Sequence, residues 1–235
     1  MLAVFKKEMR SYFTGVIGYV FLVLYLAMGG AVFAFTTLFS MSADVTPFYT
    51  YMMLVSGIAL PLLTMKSFSE ERKIKTEQLL LTAPVSITGM VMGKFLAAYL
   101  LFAGCMLLNS LYFLFLLPYA VVKFTLLLGN LVAILLVGMV FISIGLFVSS
   151  LTENQLAAAI GTIAIILGFL LIGLLSSLLP SSYPLRYVLE FISVFSRFQG
   201  FTNGFFDIAS VFYYLSLAAV FLYLTVRTYD RRRYN

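Results

Sequence analysis

The chain has 235 residues, 63% of them hydrophobic and only 10% charged, with a mean hydropathy of +1.07. A water-soluble domain of this length needs far more surface charge, so the composition describes an integral membrane protein with no room for a sizeable soluble domain beside its spans. The net charge of +6 does not indicate nucleic acid, because the basic residues stand at the ends of apolar runs, and the single cysteine, Cys105, excludes an intramolecular disulfide.

Leu2 to Tyr12 is amphipathic at helical spacing, with Leu2, Phe5, Met9 and Phe13 near one face and Lys6, Lys7 and Arg10 off it. This predicts an interfacial helix over residues 1–14, although an ordinary basic flank would read similarly. The apolar run that follows is too long for a signal-peptide core and lacks a small-x-small cleavage site, so a retained anchor is expected.

Six apolar segments are each expected to cross a hydrocarbon layer that takes roughly 20 helical residues. They run from Val16 to Leu38, Phe48 to Met65, Phe95 to Leu117, Leu126 to Leu151, Leu156 to Leu179, and Val211 to Val226. Thr152 and Gln155 have the spacing of a capping box for the fifth. With six spans, Lys6, Lys7, Arg10, Lys66, Arg72, Lys73, Lys75, Lys94, Arg227, Arg231, Arg232 and Arg233 share one side, and only Lys123, Arg186 and Arg197 fall on the other. The positive-inside rule then makes both termini and the loop over residues 66–94 cytoplasmic.

That loop is the only long charged segment between two apolar halves. Ser69, Glu70, Glu71, Arg72, Lys73, Lys75, Glu77 and Gln78 read as a short charged helix, with Ser69 as its N-cap and acidic residues near its start. Leu79, Leu80 and Leu81 then lead to Pro84, which stops it. A charged helix ending in a leucine patch can dock on a soluble partner; the plainer alternative is a solvated connector that sets topology. On the other side, residues 180–208 carry Pro180 and Pro184 and an aromatic-rich stretch broken by Gly200 and Gly204. They are too polar and interrupted to cross alone, so a re-entrant or interface-lying helical hairpin is expected.

There is no histidine, which excludes histidine metal sites, a Ser-His-Asp triad and a histidine proton relay. The carboxylates lie almost entirely outside the spans, which disfavours an ion-coupled carrier. No GxxxxGK[ST] phosphate loop is present, so this chain has no ATP site of that kind and is not expected to be an enzyme by itself. Gly138, Gly145, Gly161, Gly168 and Gly173 are candidates for close helix packing, and Asn109, which needs a partner in lipid, is a possible conduit residue.

Glu70-Glu71-Arg72-Lys73 with Thr76, then the leucines, Thr82-Ala83-Pro84-Val85 and Gly93-Lys94, resemble the first cytoplasmic loop of ABC-2 type transporter permeases. Ser149 to Thr152 with Asn154-Gln155, and Gly204 to Asp207, resemble that family's later turns. The similarity covers nearly the whole chain and is greatest to the small six-span branch of gliding-motility and copper-enzyme-maturation permeases. Lys75 departs from it, standing where the family has glycine, as does Glu77-Gln78, where an apolar residue and glutamate are usual.

The resemblance implies a single permease domain over residues 1–235, an all-α membrane protein with the ABC-2 (type V) exporter-like fold. It pairs with a second permease chain, the same or related, and with two copies of a cytoplasmic ABC ATPase that hold the ATP and Mg; this chain itself carries no cofactor. It implies that Ser69, Glu70, Glu71, Arg72, Lys73, Thr76, Glu77, Leu80 and Pro84 form the ATPase-coupling element, that the first and fifth spans line the dimer contact and conduit, and that the membrane is a bacterial inner membrane. An ATP-driven exporter of a lipid-like or amphipathic substrate is the expected function. A scaffold passing ATPase motion to an extracytoplasmic partner is the alternative, and a passive channel or ion-coupled carrier the third.

Overall fold

The computed structural model describes residues 1–76, 86–119, 123–179, 184–202 and 207–234. Helix α1 (Leu2–Thr14) stops at Gly15, whose extended backbone (φ −91°, ψ 154°) separates it from α2 (Val16–Phe33). Helix α2 loosens into a π-helical turn at Ala34–Leu38. Helix α3 (Thr46–Thr64) takes Pro47 in its first turn, where a missing N–H costs nothing, and one turn residue, Met65, joins it to α4 (Lys66–Lys73).

Helix α5 (Ile87–Ser110) is capped by Ser86, whose hydroxyl accepts the Gly89 N–H at 3.2 Å, and tightens into a 3-10 turn at Leu111–Leu116. Helices α6 (Phe124–Leu151), α7 (Gln155–Leu178), α8 (Pro184–Ile192), α9 (Val194–Thr202) and α10 (Ile208–Tyr234) complete the described chain.

The protein is all-helical among these residues, and α2, α3, α5, α6, α7 and α10 are long and apolar enough to cross a bilayer. Two boundaries differ from expectation. The third span starts at Ile87 instead of Phe95, because Ser86 caps it and Lys94 is enclosed. The sixth continues to Tyr234, its last turns held by side chains of the neighbouring helices. The break between α6 and α7 falls where expected, but no capping box forms. Asn154 is the N-cap, accepting the Leu156 N–H at 3.0 Å, and Thr152 lies too early, its hydroxyl accepting the Asn154 N–H at 3.1 Å.

Helix α6 is the hub. It packs against α3, α4, α5, α7, α9 and α10 and is the most enclosed of the six long helices. Glycine lets two of these neighbours approach. A Cβ on Gly138 would collide with the Phe102 ring of α5, and one on Gly145 with the Thr64 hydroxyl of α3. A Cβ on Gly161 would stand 3.1 Å from Val148 Cγ1, while one on Gly168 would meet nothing within 4 Å. On Gly173 it would stand 2.5 Å from Ser193 Oγ, which marks where the α8–α9 pair seats on α7.

Helices α2 and α7 flank α3, and all three present apolar side chains outward, including Val23 and Leu24, Leu54 and Ile58, and Leu167 and Leu171. The bundle also has two distinct ends, separated along the 28-residue α6 by about 42 Å at 1.5 Å per residue. One end gathers α1, α4 and the close of α10; the other carries α8 and α9.

The glycine geometry makes a paired prediction. Gly138→Ala should cost about 1–3 kcal/mol by overpacking a fully buried aromatic ring. Gly168→Ala should be neutral or slightly stabilising, since alanine is the better helix former by about 1 kcal/mol. Thermal unfolding of the two variants in one detergent checks this; equal melting temperatures would refute the packing assignment.

Candidate functional site

Where α3 turns into α4, Ser149 of α6 takes over the capping. Its hydroxyl oxygen accepts the N–H groups of Phe68 and Ser69, both at 3.1 Å, and its proton goes to the Met65 carbonyl at 3.0 Å. Two amides at the start of α4 are thus satisfied from a neighbouring helix. This corrects the expected role of Ser69. It is not an N-cap but a fully buried residue inside α4, its own hydroxyl donating back to the Met65 carbonyl. The helix starts at Lys66, so Glu70 and Glu71 fall in its second half.

The other end of α4 closes at Ile74. The Ile74 and Lys75 N–H groups donate to Glu70 and Arg72 carbonyls at 3.0 and 3.1 Å, and the Thr76 hydroxyl donates to Glu71 O at 3.3 Å. Lys75 takes φ +57°, the left-handed conformation that ends many helices and that glycine adopts at least cost. Lys73, Ile74 and Lys75 face outward, with Ile74 61% exposed. Glu77, Leu80 and Pro84, together with Leu79 and Leu81, lie outside the described residues, as do Pro180 and Gly204 of the opposite segment.

At the centre of this elbow is Lys94, a residue of α5 that is 1% exposed. Its ammonium lies 2.9 Å from Glu8 Oε1 of α1, 3.0 Å from Glu71 Oε1 of α4 and 2.6 Å from the Ser67 carbonyl, with the Phe68 ring centroid at 4.9 Å. Sequence placed Lys94 as a topology-setting flank; the structure encloses it inside the helix, where it joins three elements. Lys7 bridges to the same Glu71 oxygen at 3.0 Å, so two cations balance two carboxylates.

Burial alone would lower the Lys7 pKa. The Glu71 hydrogen bond, with the charges of Glu71 and Glu8, outweighs it and holds the group above its ordinary 10.5. Because the folded value is raised, this contact stabilises the fold at neutral pH and is lost only as the pH climbs through that value.

Helix α1 reaches Lys94 because α5 is smooth beneath it. Gly89 and Gly93 are four apart, and a Cβ on Gly93 would stand 3.1 Å from Val4 Cβ and 3.2 Å from the Phe5 nitrogen. The inward side of α1 is therefore Val4, Glu8 and Tyr12, while Leu2 and Phe13 of the expected apolar face are 74% and 47% exposed. Sequence reasoning missed Glu8, Lys94 and Ser149. The legible signal was Gly89-Met-Val-Met-Gly93-Lys94, a small-xxx-small pattern with a charge directly behind it.

Two further ties complete the elbow. Arg72 pairs with Glu153 at 3.0 Å in the α6–α7 turn and donates to Leu151 O at 2.9 Å. Phe68 packs on Tyr229 of α10 at 4.9 Å between centroids, and Arg232 donates to Ser150 O at 2.7 Å. Between α1 and α4 lies a cleft of about 660 Å³, lined by Lys7, Glu8, Lys66, Glu70 and Glu71 among others.

Elsewhere, Asn109 is fully buried against Gly29 of α2, its amide atoms without hydrogen-bond partners among the described residues. Among those residues no group of three or more His, Cys, Asp or Glu side chains could hold a metal ion.

No family model matches the chain, and comparison with curated proteins returns no match.

Lys94→Met should destabilise the protein by about 3 kcal/mol, because it strands Glu8 and Glu71 against each other in a mostly buried space. Adding Glu8→Gln and Glu71→Gln should recover most of that loss, and melting curves of the single and triple variants decide it. Lys75→Gly should raise stability by about 1 kcal/mol by relieving the left-handed backbone, whereas Lys75→Val should lower it. Unchanged melting temperatures in both would rule out αL strain at the end of α4.

Proposed function

We propose that this chain is the permease subunit of an ATP-driven ABC-2 type transporter, set in a bacterial inner membrane with both termini cytoplasmic. The observation that carries the reading is α4, a short charged helix fastened on one side to α1, α5, α6, α7 and α10 and bare on the other. A soluble ATPase that moves such a helix moves the bundle with it. The left-handed Lys75 stands where the resembled family has glycine, which supports the same reading, since the backbone shape is kept although the residue differs.

ATP and Mg belong to two copies of the separate ATPase. A second permease chain, identical or related, would cover the outward apolar faces of α2, α3 and α7. The conduit between such copies is apolar and suits a lipid-like or amphipathic substrate.

Glu71 is unsuited to test docking, since reversing its charge would break the Lys94 knot. The test belongs on the bare face. Purified gently from its native membrane, the protein should bring an ABC ATPase with measurable hydrolysis. The double variant Lys73→Glu/Ile74→Asp should lose that ATPase while keeping its own melting temperature. A clean permease with no ATPase, under conditions that preserve other ABC complexes, would overturn the reading. An attached ATPase indifferent to every amphiphile would favour the motion-transmitting scaffold.

A further inference from the structure

At the end of the bundle opposite the elbow, the close of α7, the α8–α9 pair and the start of α10 surround a cavity of about 880 Å³. Four charged side chains line it, and three of them are already engaged. Arg186 pairs with Glu190 at 2.7 Å and donates to Leu179 O at 3.2 Å. Asp207 caps α10, one oxygen accepting the Ala209 N–H at 3.1 Å and the other the Ser210 N–H and hydroxyl at 3.2 and 2.6 Å.

Arg197 is different. Its guanidinium lies between two aromatic rings, 4.8 Å from the Phe191 centroid and 4.5 Å from that of Tyr213, and its Nε donates to Phe191 O at 3.1 Å. Among the described residues no carboxylate comes within 4.0 Å of it, and its two terminal nitrogens have no acceptor. The two rings stand 6.5 Å apart at 69° to each other and so flank the guanidinium on adjacent sides, and these contacts with the Nε hydrogen bond restrict a long side chain before any ligand arrives. A fixed guanidinium with its outer edge free matches the two oxygens of a phosphate or carboxylate.

The surroundings say what carries that oxyanion. Leu174 of α7 lines the cavity and is 52% exposed, the same helix presents Leu171, Leu175 and Leu178 outward beyond the lining, the last 79% exposed, and Tyr187 of α8 is 69% exposed at the rim. The cavity, part polar and part apolar with one open cation, therefore borders the helix that carries the exposed leucines, with tyrosine at the boundary as in membrane interfaces. We infer that this cavity binds the oxyanion head group of an amphiphile, with Arg197 as its anchor and the outward leucines of α7 along its chain. The site does not depend on an ATPase partner and is testable on the purified chain alone.

The probes are dioctanoyl phosphatidylglycerol and inorganic phosphate, titrated into the protein in a neutral maltoside detergent. The chain has no tryptophan, so tyrosine emission, to which Tyr213 contributes, reports binding directly. The lipid should bind saturably, and Arg197→Gln should weaken it about tenfold to a hundredfold, the value of a charge-assisted contact.

Arg197→Lys keeps the charge but not the fork and should weaken binding by about tenfold. Leu178→Glu leaves Arg197 untouched and should also abolish saturation, while Arg231→Gln at the far end should change nothing. Wild-type affinity in both Arg197→Gln and Leu178→Glu would overturn the proposal. So would inorganic phosphate binding as tightly as the lipid, which would make this a site for soluble anions.

Discussion

An ammonium sealed inside a helical bundle survives only where its surroundings replace water. Lys94 is given two carboxylates, a carbonyl and an aromatic face, the Glu8 carboxylate from α1 and the other three groups from α4. The consequence is structural. Removing any one partner leaves a charge with no solvent to relax into, so α1, α4 and α5 are held to one arrangement. The apolar contacts around them would tolerate several, because packing in a lipid-facing bundle is permissive about rotation and sliding. The ion pairs choose among these.

That choice has to be carried through the bundle by something stiff. Helix α6 does this by close packing, with Gly138 and Gly145 drawing α5 and α3 against it, and Ser149 near its end fixing the start of α4. Away from Lys94, the buried polar groups of the first three spans are uncharged. Tyr25 bonds to Ser56 at 2.7 Å, and Tyr49 to Ser110 at 2.7 Å, each hydroxyl meeting another inside the core. Such pairs order neighbouring helices without the desolvation penalty of an ion.

Much of this architecture could be read from the residues. Six apolar runs of the right length, the break at Thr152 to Asn154 and the charged helix after the second span are all consequences of local composition. The site was only half legible. Glu70, Glu71 and Arg72 stand out because they are charged among leucines, but their partners do not. Glu8 looked like part of a basic flank, Lys94 like the edge of a span, and Ser149 like the start of the turn between the fourth and fifth spans. Each acquires its role from residues 60 to 90 positions away, as the Lys94–Glu8 and Ser149–Phe68 contacts illustrate, and no periodicity reports on such pairs. The N-cap of α4 was misread for the same reason, since the group that caps it lies on another helix.

Helix α7 then connects the two ends. It begins beside Glu153, which Arg72 of the elbow holds at 3.0 Å, and in its last two turns Gly173 is pressed against Ser193 between α8 and α9. Between these points its inward side passes from the small Ala158, Ala159 and Thr162 to the buried Ile166 and Leu170, while a Cβ on Gly168 would meet nothing. Glu153 and Gly173 are about 30 Å apart at 1.5 Å per residue, so one continuous helix spans most of the distance between the elbow and the α8–α9 pair. Among the described residues the buried ion pairs thus gather at one end of the bundle and the Arg197 cavity at the other, with α7 running between them.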